Sequence, residues 1–301
     1  MTIPFIDAHA HLWSLNGVIR YPWLTPPFSS GSSGSVEPIA HDYLLADYLR
    51  DAQRWNLKGM VHVDAAAHPE DALAETVWLE EAAATSGLPS AIVAFVPLDD
   101  PAVGALLAAQ AQHTHVRGVR HTVNWHADAA RSFTPRDVTH SEQWQSGFAK
   151  IGSHGLSFDL QCYPGQMPEL AKLFERHPET PVIIDHLGMP IPSDPDGIAQ
   201  WNGGLRQLAR LDHVFLKISG VGLIYPEWTT ERIRPLVLQA IDLFGPERCM
   251  FASDFPVDKL FGSFDQHLEA YHTITARFSA EERASMFSEN ANRIYRLGIA
   301  L

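Results

Sequence analysis

Histidine is the residue type whose placement first suggests chemistry, because the 301-residue chain contains 16 of them. His9 and His11 are separated by a single residue in the run Asp-Ala-His-Ala-His. In an extended strand such residues point to the same side, so the two imidazoles could together bind a metal ion or polarise a carbonyl group. Alone this pair is a weak signal, since two incidental histidines give the same pattern.

Polar residues also end or interrupt three later apolar runs. Asp185 and His186 follow one run, and Asp254 follows another. An aspartate at such a place could act in acid–base catalysis or simply cap the next helix. Lys217 lies inside a third run, where an unpaired buried lysine is costly, and this favours a position at the mouth of a barrel.

Other apolar runs carry polar residues at or near their ends as well: His62, Asp64, Arg120, His121, Asp159, Gln161 and Tyr163. Each has an ordinary structural explanation, and Arg120 could simply pair with Asp64 or Asp159. Active sites of parallel barrels, however, gather at the carboxyl ends of the strands. Polar residues at six or more such ends therefore indicate an enzyme site.

The elements that would position these residues alternate along the chain. Short runs typical of buried strands occur at Pro4–Ala8, Lys58–Val63, Ala91–Pro97, Arg117–Val123, Leu156–Gln161, Pro181–Asp185, Val214–Ser219 and Cys249–Ser253. Helical patterns lie between most of them, at Ala72–Ser86, Ser141–His154, Met167–Arg176, Trp201–Leu211 and Arg232–Phe244. This alternation predicts an α/β fold, and a (β/α)8 TIM barrel rather than an open doubly wound sheet, because His-Ala-His stands where that sheet would carry its glycine-rich fingerprint.

Length and composition support one barrel domain over residues 1–301, since such barrels need about 250 residues. The segment Thr25–Ile39 is rich in Ser, Gly and Pro and predicts an inserted, solvated loop after strand one. With 22 Lys and Arg against 35 Asp and Glu, the net charge of −13 argues against nucleic-acid and anionic-membrane partners. No signal-peptide pattern or long apolar run occurs, and two cysteines are no disulfide framework, so we expect a cytoplasmic protein.

Taken together, the motifs resemble the amidohydrolase superfamily and, within it, the amidohydrolase-2 branch of TIM-barrel hydrolases. The similarity is carried, in order along the chain, by Asp7–Trp13, Tyr21–Leu24, Arg117–His121, Asp185–Gly188, Lys217–Gly220, Phe251–Val257 and Phe287–Leu297. That branch includes 2-pyrone-4,6-dicarboxylate lactonases, sugar-acid lactonases and 4-sulfomuconolactone hydrolases. The resemblance implies a distorted barrel with a hydrolytic activity, but it does not single out one substrate.

The resemblance also implies a site. His9, His11 and His186 match histidines of the family, and Asp254 matches the strand-eight aspartate that activates the attacking water. These four side chains could hold a single divalent ion, and three histidines with one carboxylate would suit Zn²⁺. The lactonase branch also contains members that work without a metal, so activity without one is compatible with the resemblance.

The chain departs from the two-metal pattern of the superfamily at two strands. Strand four offers Arg120 and His121 instead of a bridging Lys or Glu, and strand five offers Asp159 and Gln161 where two-metal members place histidine. We therefore expect at most one ion in each chain.

The leading hypothesis is a hydrolase that opens the ring of a small, anionic lactone. Asp254 would take a proton from water and return it to the leaving oxygen, while the histidines, or an ion that they hold, would stabilise the oxyanion. Arg120 and Lys217 are predicted to bind a substrate carboxylate or sulfonate. Further residues predicted to line the pocket are His62, His121, Gln161 and Tyr163.

Two alternatives belong to other classes of protein. The first is a metal-dependent decarboxylase of an unsaturated or aromatic acid on the same barrel, which would need a firmly bound ion and would release CO₂. The second is a non-catalytic small-molecule binding protein, whose expected mark would be the loss of the strand-eight acid. Asp254 is present, so this interpretation ranks last. The sequence does not specify an oligomeric state.

Overall fold

A computed structural model describes residues 3–28 and 34–301 of the chain. Within these ranges the backbone forms eight strands: β1 (Phe5–Ala10), β2 (Leu57–Val63), β3 (Ala91–Phe95), β4 (Val116–Arg120), β5 (Ser157–Leu160), β6 (Val182–Ile184), β7 (Val214–Ile218) and β8 (Cys249–Phe251). Neighbouring strands pair in parallel and in sequence order. A parallel bridge between Ala10 and Phe255 brings the two edges together, so the barrel is nearly closed. The predicted (β/α)8 barrel is confirmed.

Helices follow the strands in the described ranges: α1 (Leu45–Asp51), α2 (Ala72–Ser86), α3 (Val103–Gln110), α4 (Glu142–Phe148), α5 (Met167–Glu175), α6 (Gly197–Leu208), α7 (Val221–Ile224), α8 (Thr230–Phe244), α9 (Phe264–Ile274), α10 (Ala280–Ala284) and α11 (Asn290–Ile294). A π-helical turn at Ser285–Glu289 joins α10 to α11. In the predicted loop Thr25–Ile39, residues 29–33 lie outside the described residues. No helix of the described ranges is both long and apolar enough to cross a membrane.

The core has two layers. The larger one fills the space between the strands and the surrounding helices, and Leu79 and Trp144 belong to it. The smaller one fills the barrel interior with side chains such as Val61 and Val63, together with Tyr295. The segment after α11 covers the amino end of the barrel, where the side chain of Ile299 lies close to Gly59 at the start of β2. The opposite, carboxyl end is therefore free to form a site.

Candidate active site

An irregularity in β1 turns both of its histidines toward the barrel interior. The ladder between β1 and β2 changes register between Asp7 and Ala10. Such bulges commonly re-aim side chains beside active sites. The imidazoles of His9 and His11 both approach the carboxylate of Asp254, which follows β8. The prediction that the two histidines share one side is therefore confirmed, although a bulge rather than a regular strand places them.

A buried carboxylate fixes the segment that carries Asp254. Oδ1 of Asp7 accepts a hydrogen bond of 2.8 Å from the backbone N–H of Ser253, and its Oδ2 accepts one of 2.6 Å from the Ser253 hydroxyl. The hydroxyl of Tyr48 on α1 donates to the same carboxylate. The backbone N–H of Asp254 in turn donates to the carbonyl oxygen of His9 at 2.8 Å. Asp7 thereby joins the end of β8 to β1 and sets the position of Asp254.

Left-handed backbone shapes two parts of the site. Asp254 has φ 58°, a conformation that aspartate tolerates better than most residues do. His186 begins a run of four residues with positive φ that ends at Met189. Gly220, after β7, packs against the His186 ring so closely that a Cβ there would lie 2.6 Å from the ring atoms. Glycine is therefore required at this position for the imidazole to reach the site.

The imidazole ε nitrogens converge on one oxygen. Oδ1 of Asp254 lies 3.6 Å from Nε2 of His9, 3.3 Å from Nε2 of His11 and 3.9 Å from Nε2 of His186. Candidate ligand atoms of His9, His186 and Asp254 all lie within 4.8 Å of one another. All four side chains are buried. The structure therefore brings together the four residues that the sequence singled out.

The opposite ring nitrogens are held by partners around the site. Nδ1 of His9 lies 3.1 Å from Oδ1 of Asp185, and Nδ1 of His11 lies 2.8 Å from the carbonyl oxygen of Val63. Nδ1 of His186 lies 3.0 Å from the hydroxyl of Ser219. A carbonyl oxygen can only accept, so Nδ1 of His11 carries the proton. Nδ1 of His9 lies between the Asp185 carboxylate, at 3.1 Å, and the ammonium group of Lys217, at 3.3 Å. We assign its proton to Nδ1 as well, because the nearer partner is a charged acceptor. In the neutral rings Nε2 then presents a lone pair to Asp254.

Burial favours the uncharged forms of the three histidines and of Asp254. It lowers the pKa of His9 well below its usual value, lowers the pKa of His11 to about 4 and also lowers the pKa of His186. Burial likewise raises the pKa of Asp254 to about 7, against the lowering effect of His186. Lone pairs that face a carboxylate repel it unless a proton or a cation lies between them.

This arrangement fits a divalent cation. In the described part of the chain, Nε2 of His9 and Oδ2 of Asp254 are buried without a hydrogen-bond partner. Imidazole nitrogens with one carboxylate are ligands that Zn²⁺ prefers, and metal-binding histidines commonly donate their other N–H to a carboxylate or carbonyl group. Three ligands from His9, His186 and Asp254 would leave a coordination position open, as catalytic zinc sites do.

A network of buried charges lies beneath the site. The ammonium group of Lys217 donates to Oδ2 of Asp159 and lies 3.0 Å from Oδ1 of Asp185, the carboxylate that holds His9. Burial alone would raise the pKa of Asp185, but Lys217 and His9 hold that pKa well below its usual range. The hydroxyl of Tyr295 donates to Asp159 from the amino end of the barrel. Lys217 is fully buried within these contacts.

Arg120 occupies the neighbouring part of the interior. Its Nε donates to Oδ2 of Asp64 at 2.5 Å and one terminal nitrogen donates to Oε1 of Gln161 at 3.0 Å. The same nitrogen lies 3.7 Å from Oδ2 of Asp185. The pairing with Asp64 that the sequence suggested as a structural explanation of Arg120 is therefore present. Three carboxylates, from Asp64, Asp159 and Asp185, surround the two cations.

The remaining predicted pocket residues lie in different surroundings. His62 alternates with the inward-facing Val61 and Val63, so it lies on the other side of β2, where its Nε2 is 3.2 Å from the carbonyl oxygen of Leu12. Nδ1 of His121 accepts hydrogen bonds from the backbone of Leu98 and from the Trp144 side chain. The His62 ring nevertheless packs edge-on against the His11 ring, with 6.1 Å between the ring centres, so it supports the site from outside the barrel interior. His121 has no contact with the His–Asp group among the described residues.

Tyr163 lines an open cavity of about 420 Å³. Arg131, Phe133 and Arg232 form its walls together with residues 189–193 and 223–226. These segments follow β4, β6 and β7, so the cavity lies at the carboxyl end of the barrel, beside the histidine site. Met189, three residues after His186 in sequence, is one of the cavity-lining residues.

Several residues that build the site lay outside the predicted set. The sequence pointed to Asp185 as an acid–base or capping residue, whereas the structure shows that it holds His9. Ser219 also stands at a strand end, so its position in the sequence could have indicated it. Asp7 directly precedes the histidine motif. Arg232 gave no such signal, because it lies on α8, well beyond the end of β7.

The chain matches known proteins over nearly its whole length. Residues 6–297 match the family model described as Amidohydrolase. A crystal structure of an amidohydrolase from Burkholderia multivorans with bound zinc superposes with a TM-score of 0.80 at 29% identity, over 97% of this chain and 99% of that one. The chain therefore belongs to the amidohydrolase family, and the resemblance seen in the sequence is confirmed.

Two curated relatives cover nearly the whole chain. The protein y4mH of Sinorhizobium fredii, whose name states no function, is 39% identical over 98% of this chain and 99% of its own length. An L-fucono-1,5-lactonase of Burkholderia multivorans is 28% identical over 97% of this chain and 96% of its own length. The distant relatives thus include sugar-acid lactonases.

Proposed function

We propose that this protein hydrolyses a small, anionic lactone and that Asp254 handles the proton of the attacking water. The observation that carries the proposal is the convergence of three imidazole ε nitrogens on one oxygen of Asp254. The L-fucono-1,5-lactonase relative supports a lactone as the kind of substrate. The reaction adds water to the ester carbonyl, breaks the bond to the ring oxygen and gives a hydroxy acid or its keto form.

In this proposal Asp254 moves the proton. Its free oxygen, Oδ2, would accept the proton as the water oxygen attacks the carbonyl carbon. The same carboxyl group would then return the proton to the ring oxygen as that bond breaks. Removing this group would leave the neutral imidazoles unable to replace it, since burial lowers their pKa values and their Nδ1 atoms are already engaged.

Stabilisation of the oxyanion needs a hydrogen-bond donor or a positive charge, and the ε nitrogens of neutral His9 and His11 offer neither. A divalent ion held by His9, His186 and Asp254, with His11 beside them, would supply that charge to the carbonyl oxygen. Asp185, Val63 and Ser219 hold the rings in the orientation that such binding needs. We propose that Arg120 and Lys217 hold the buried carboxylates around the site rather than the substrate, because carboxylates of the chain already occupy their donors.

The test is turnover of a lactone panel by purified protein, followed with a pH indicator. We expect Asp254→Asn to lower kcat by at least about 10²-fold with an unchanged fold, because asparagine keeps the shape and tolerates positive φ but is no base. Asp242→Asn, at an exposed position on α8, is the matched control and should leave kcat unchanged. Circular dichroism and thermal unfolding would show that both variants fold.

Near-normal turnover by a folded Asp254→Asn variant would remove Asp254 from the mechanism. Release of CO₂ from an unsaturated or aromatic acid would indicate the decarboxylase instead. Tight binding of a lactone that is equal in the wild type and in Asp254→Asn, without turnover by either, would indicate a binding protein.

A further inference from the structure

The cavity beside the histidine site has an unusual charge for this chain. Among the described residues, two arginines, Arg131 and Arg232, line its walls and no carboxylate does. The protein as a whole carries a net charge of −13. A cavity that is lined by cations within an acidic protein is complementary to an anionic ligand.

The two arginines differ in what already binds them. One terminal nitrogen of Arg131 donates to Oδ1 of Asp194 at 2.7 Å, and its Nε lies 3.5 Å from Asp128. Arg232 donates to the carbonyl oxygen of Glu227 at 3.3 Å and packs 4.2 Å from the ring centre of Tyr225. Within the described residues no carboxylate forms an ion pair with Arg232, so its charge is available to a ligand.

Apart from the hydroxyl groups of Tyr163, Ser193 and Tyr225, the remaining side chains of the wall are apolar. Met189, Ile191, Leu223 and Ile224 line the cavity with several prolines and Phe133. The Tyr163 hydroxyl already donates to the carbonyl oxygen of Arg131. Ser193 and Tyr225 could pair with only some hydroxyl groups of a polyhydroxylated sugar lactone, and each hydroxyl left unpaired against the apolar side chains is costly. An alkyl or unsaturated ring body fits this surface better.

Met189 connects the cavity wall to the buried polar network that contains Gln161 and Arg120. Its sulfur accepts weak hydrogen bonds from the side-chain amides of Asn124, at 3.2 Å, and Gln161, at 3.7 Å. Gln161 also binds Arg120, which lies beside the His9 partner Asp185. Oδ1 of Asn124 is buried without a partner in the described part of the chain. A ligand in the cavity therefore contacts the inner network by way of one flexible side chain.

We propose that the lactone has an apolar body and a carboxylate, and that Arg232 binds this carboxylate in the cavity. The inference rests on the proposed hydrolysis and narrows its substrate class. It moves anion recognition from Arg120 and Lys217, which the sequence favoured, to an arginine on α8. It also separates the substrate from the neutral sugar lactones that the relatives' names suggest.

Binding can be measured without turnover. The probe is 3-phenylpropionate, an unreactive apolar carboxylate, with its neutral amide 3-phenylpropionamide as the matched ligand, both titrated calorimetrically into the full chain. We expect Arg232→Met to weaken carboxylate binding about tenfold or more and to leave amide binding nearly unchanged, because a charge-assisted hydrogen bond is lost. Arg232→Lys should retain part of the affinity. Arg234→Met, on the same helix but outside the cavity wall, is the control and should bind as the wild type does.

Kinetics with γ-lactones supply the second arm. For a lactone with an alkyl carboxylate side chain, Arg232→Met should raise KM about tenfold with kcat largely kept, whereas the methyl ester of the same lactone should show no such change. L-Fucono-1,5-lactone should be the poorer substrate of the wild type.

The outcomes separate the two proposals. Carboxylate binding that does not depend on Arg232, or no binding of the probe by the wild type, overturns the cavity assignment even when lactones are hydrolysed. Preference for the sugar lactone, unaffected by Arg232→Met, overturns it as well. Binding that depends on Arg232, without hydrolysis of any lactone, contradicts the lactonase proposal and leaves the anion site standing.

Discussion

At the scale of single residues, the site is defined by which nitrogen of each histidine faces inward. Asp185 and the carbonyl oxygen of Val63 take the Nδ1 protons of His9 and His11, so the ε nitrogens face Asp254 as lone pairs. This explains why burial can hold three imidazoles neutral around a carboxyl group. The same orientation makes the group receptive to a single cation.

After a chelator has removed any bound metal, we expect the protein to bind at most one equivalent of Zn²⁺. The reason is that the described residues contain one group of three or more metal-ligating side chains. His9→Ala should weaken zinc binding about tenfold or more, since one of three ligands is lost. His41→Gln, at an exposed position, is the matched control. Elemental analysis and competition titration measure both. Two ions per chain, or unchanged affinity in His9→Ala, would contradict the assignment.

At the scale of the elements, buried ion pairs join strands that are distant in sequence. Arg120 of β4 pairs with Asp64 after β2, and Lys217 of β7 pairs with Asp159 of β5. Such pairs add little net stability as intact units, but removal of one partner leaves an unpaired buried charge. The barrel thereby couples the chemistry of the site to its own stability.

Arg120→Met should lower the free energy of unfolding by about 3–5 kcal/mol, because it leaves Asp64 buried without its cation. The double variant with Asp64→Asn should recover part of this loss. Arg117→Met, on the same strand but outside the interior, is the control. Urea unfolding measures all four proteins. If Arg120→Met is as stable as the control, the pair contributes nothing to the fold.

Glu75 on helix α2 is a buried titratable residue whose pKa is shifted. Burial and the nearby Asp64 raise the pKa of Glu75 to about 8, from an ordinary value of 4.5. Between these values the unfolded chain has lost a proton that the folded chain retains, so the contribution of Glu75, full below the unfolded pKa, is lost as pH rises toward 8. Glu75→Gln removes this loss. The free energy of unfolding of Glu75→Gln, relative to that of the wild type, should therefore rise from pH 5 to pH 7 by up to about 1.4 kcal/mol per pH unit. Urea unfolding at several pH values measures it, and a pH-independent difference would refute the raised pKa.

The sequence predicts the barrel better than it predicts the contacts inside it. Each predicted apolar run overlaps one observed strand, and α2 has the predicted bounds, because β-branched runs and helical spacing are local signals. Helix α3 was not predicted, since VGALLAAQ is apolar on all sides and shows no periodicity. The partners of Lys217 lie 58 and 32 residues away in sequence and meet it only once β5, β6 and β7 lie side by side in the sheet. Such pairings depend on three-dimensional packing, which spacing along the chain does not encode.

At the scale of the whole molecule, the two ends of the barrel have separate tasks. The carboxyl end carries the histidines, Asp254 and the cavity, whereas the amino end is covered by α11 and the residues that follow it. Tyr295 connects the two ends, because its hydroxyl donates at 2.8 Å to the same Asp159 oxygen that binds Lys217.

Tyr295→Phe should lower the free energy of unfolding by about 1.5–3 kcal/mol, because it deletes one hydrogen bond to a buried carboxylate and keeps the ring. Chemical unfolding of the variant beside the wild type measures the loss. Equal stability of the two proteins would show that Asp159 needs no support from the amino end.

The contact between His11 and Asp254 spans 243 residues of sequence. On the ribosome, a growing chain therefore carries both β1 histidines long before it carries the acid that they face. Until β8 has emerged and joined β1, the histidines have no Asp254 beside them, so no shorter nascent chain can hold the complete site. The complete histidine–aspartate group thus forms late in synthesis, when nearly the whole barrel is available to enclose it.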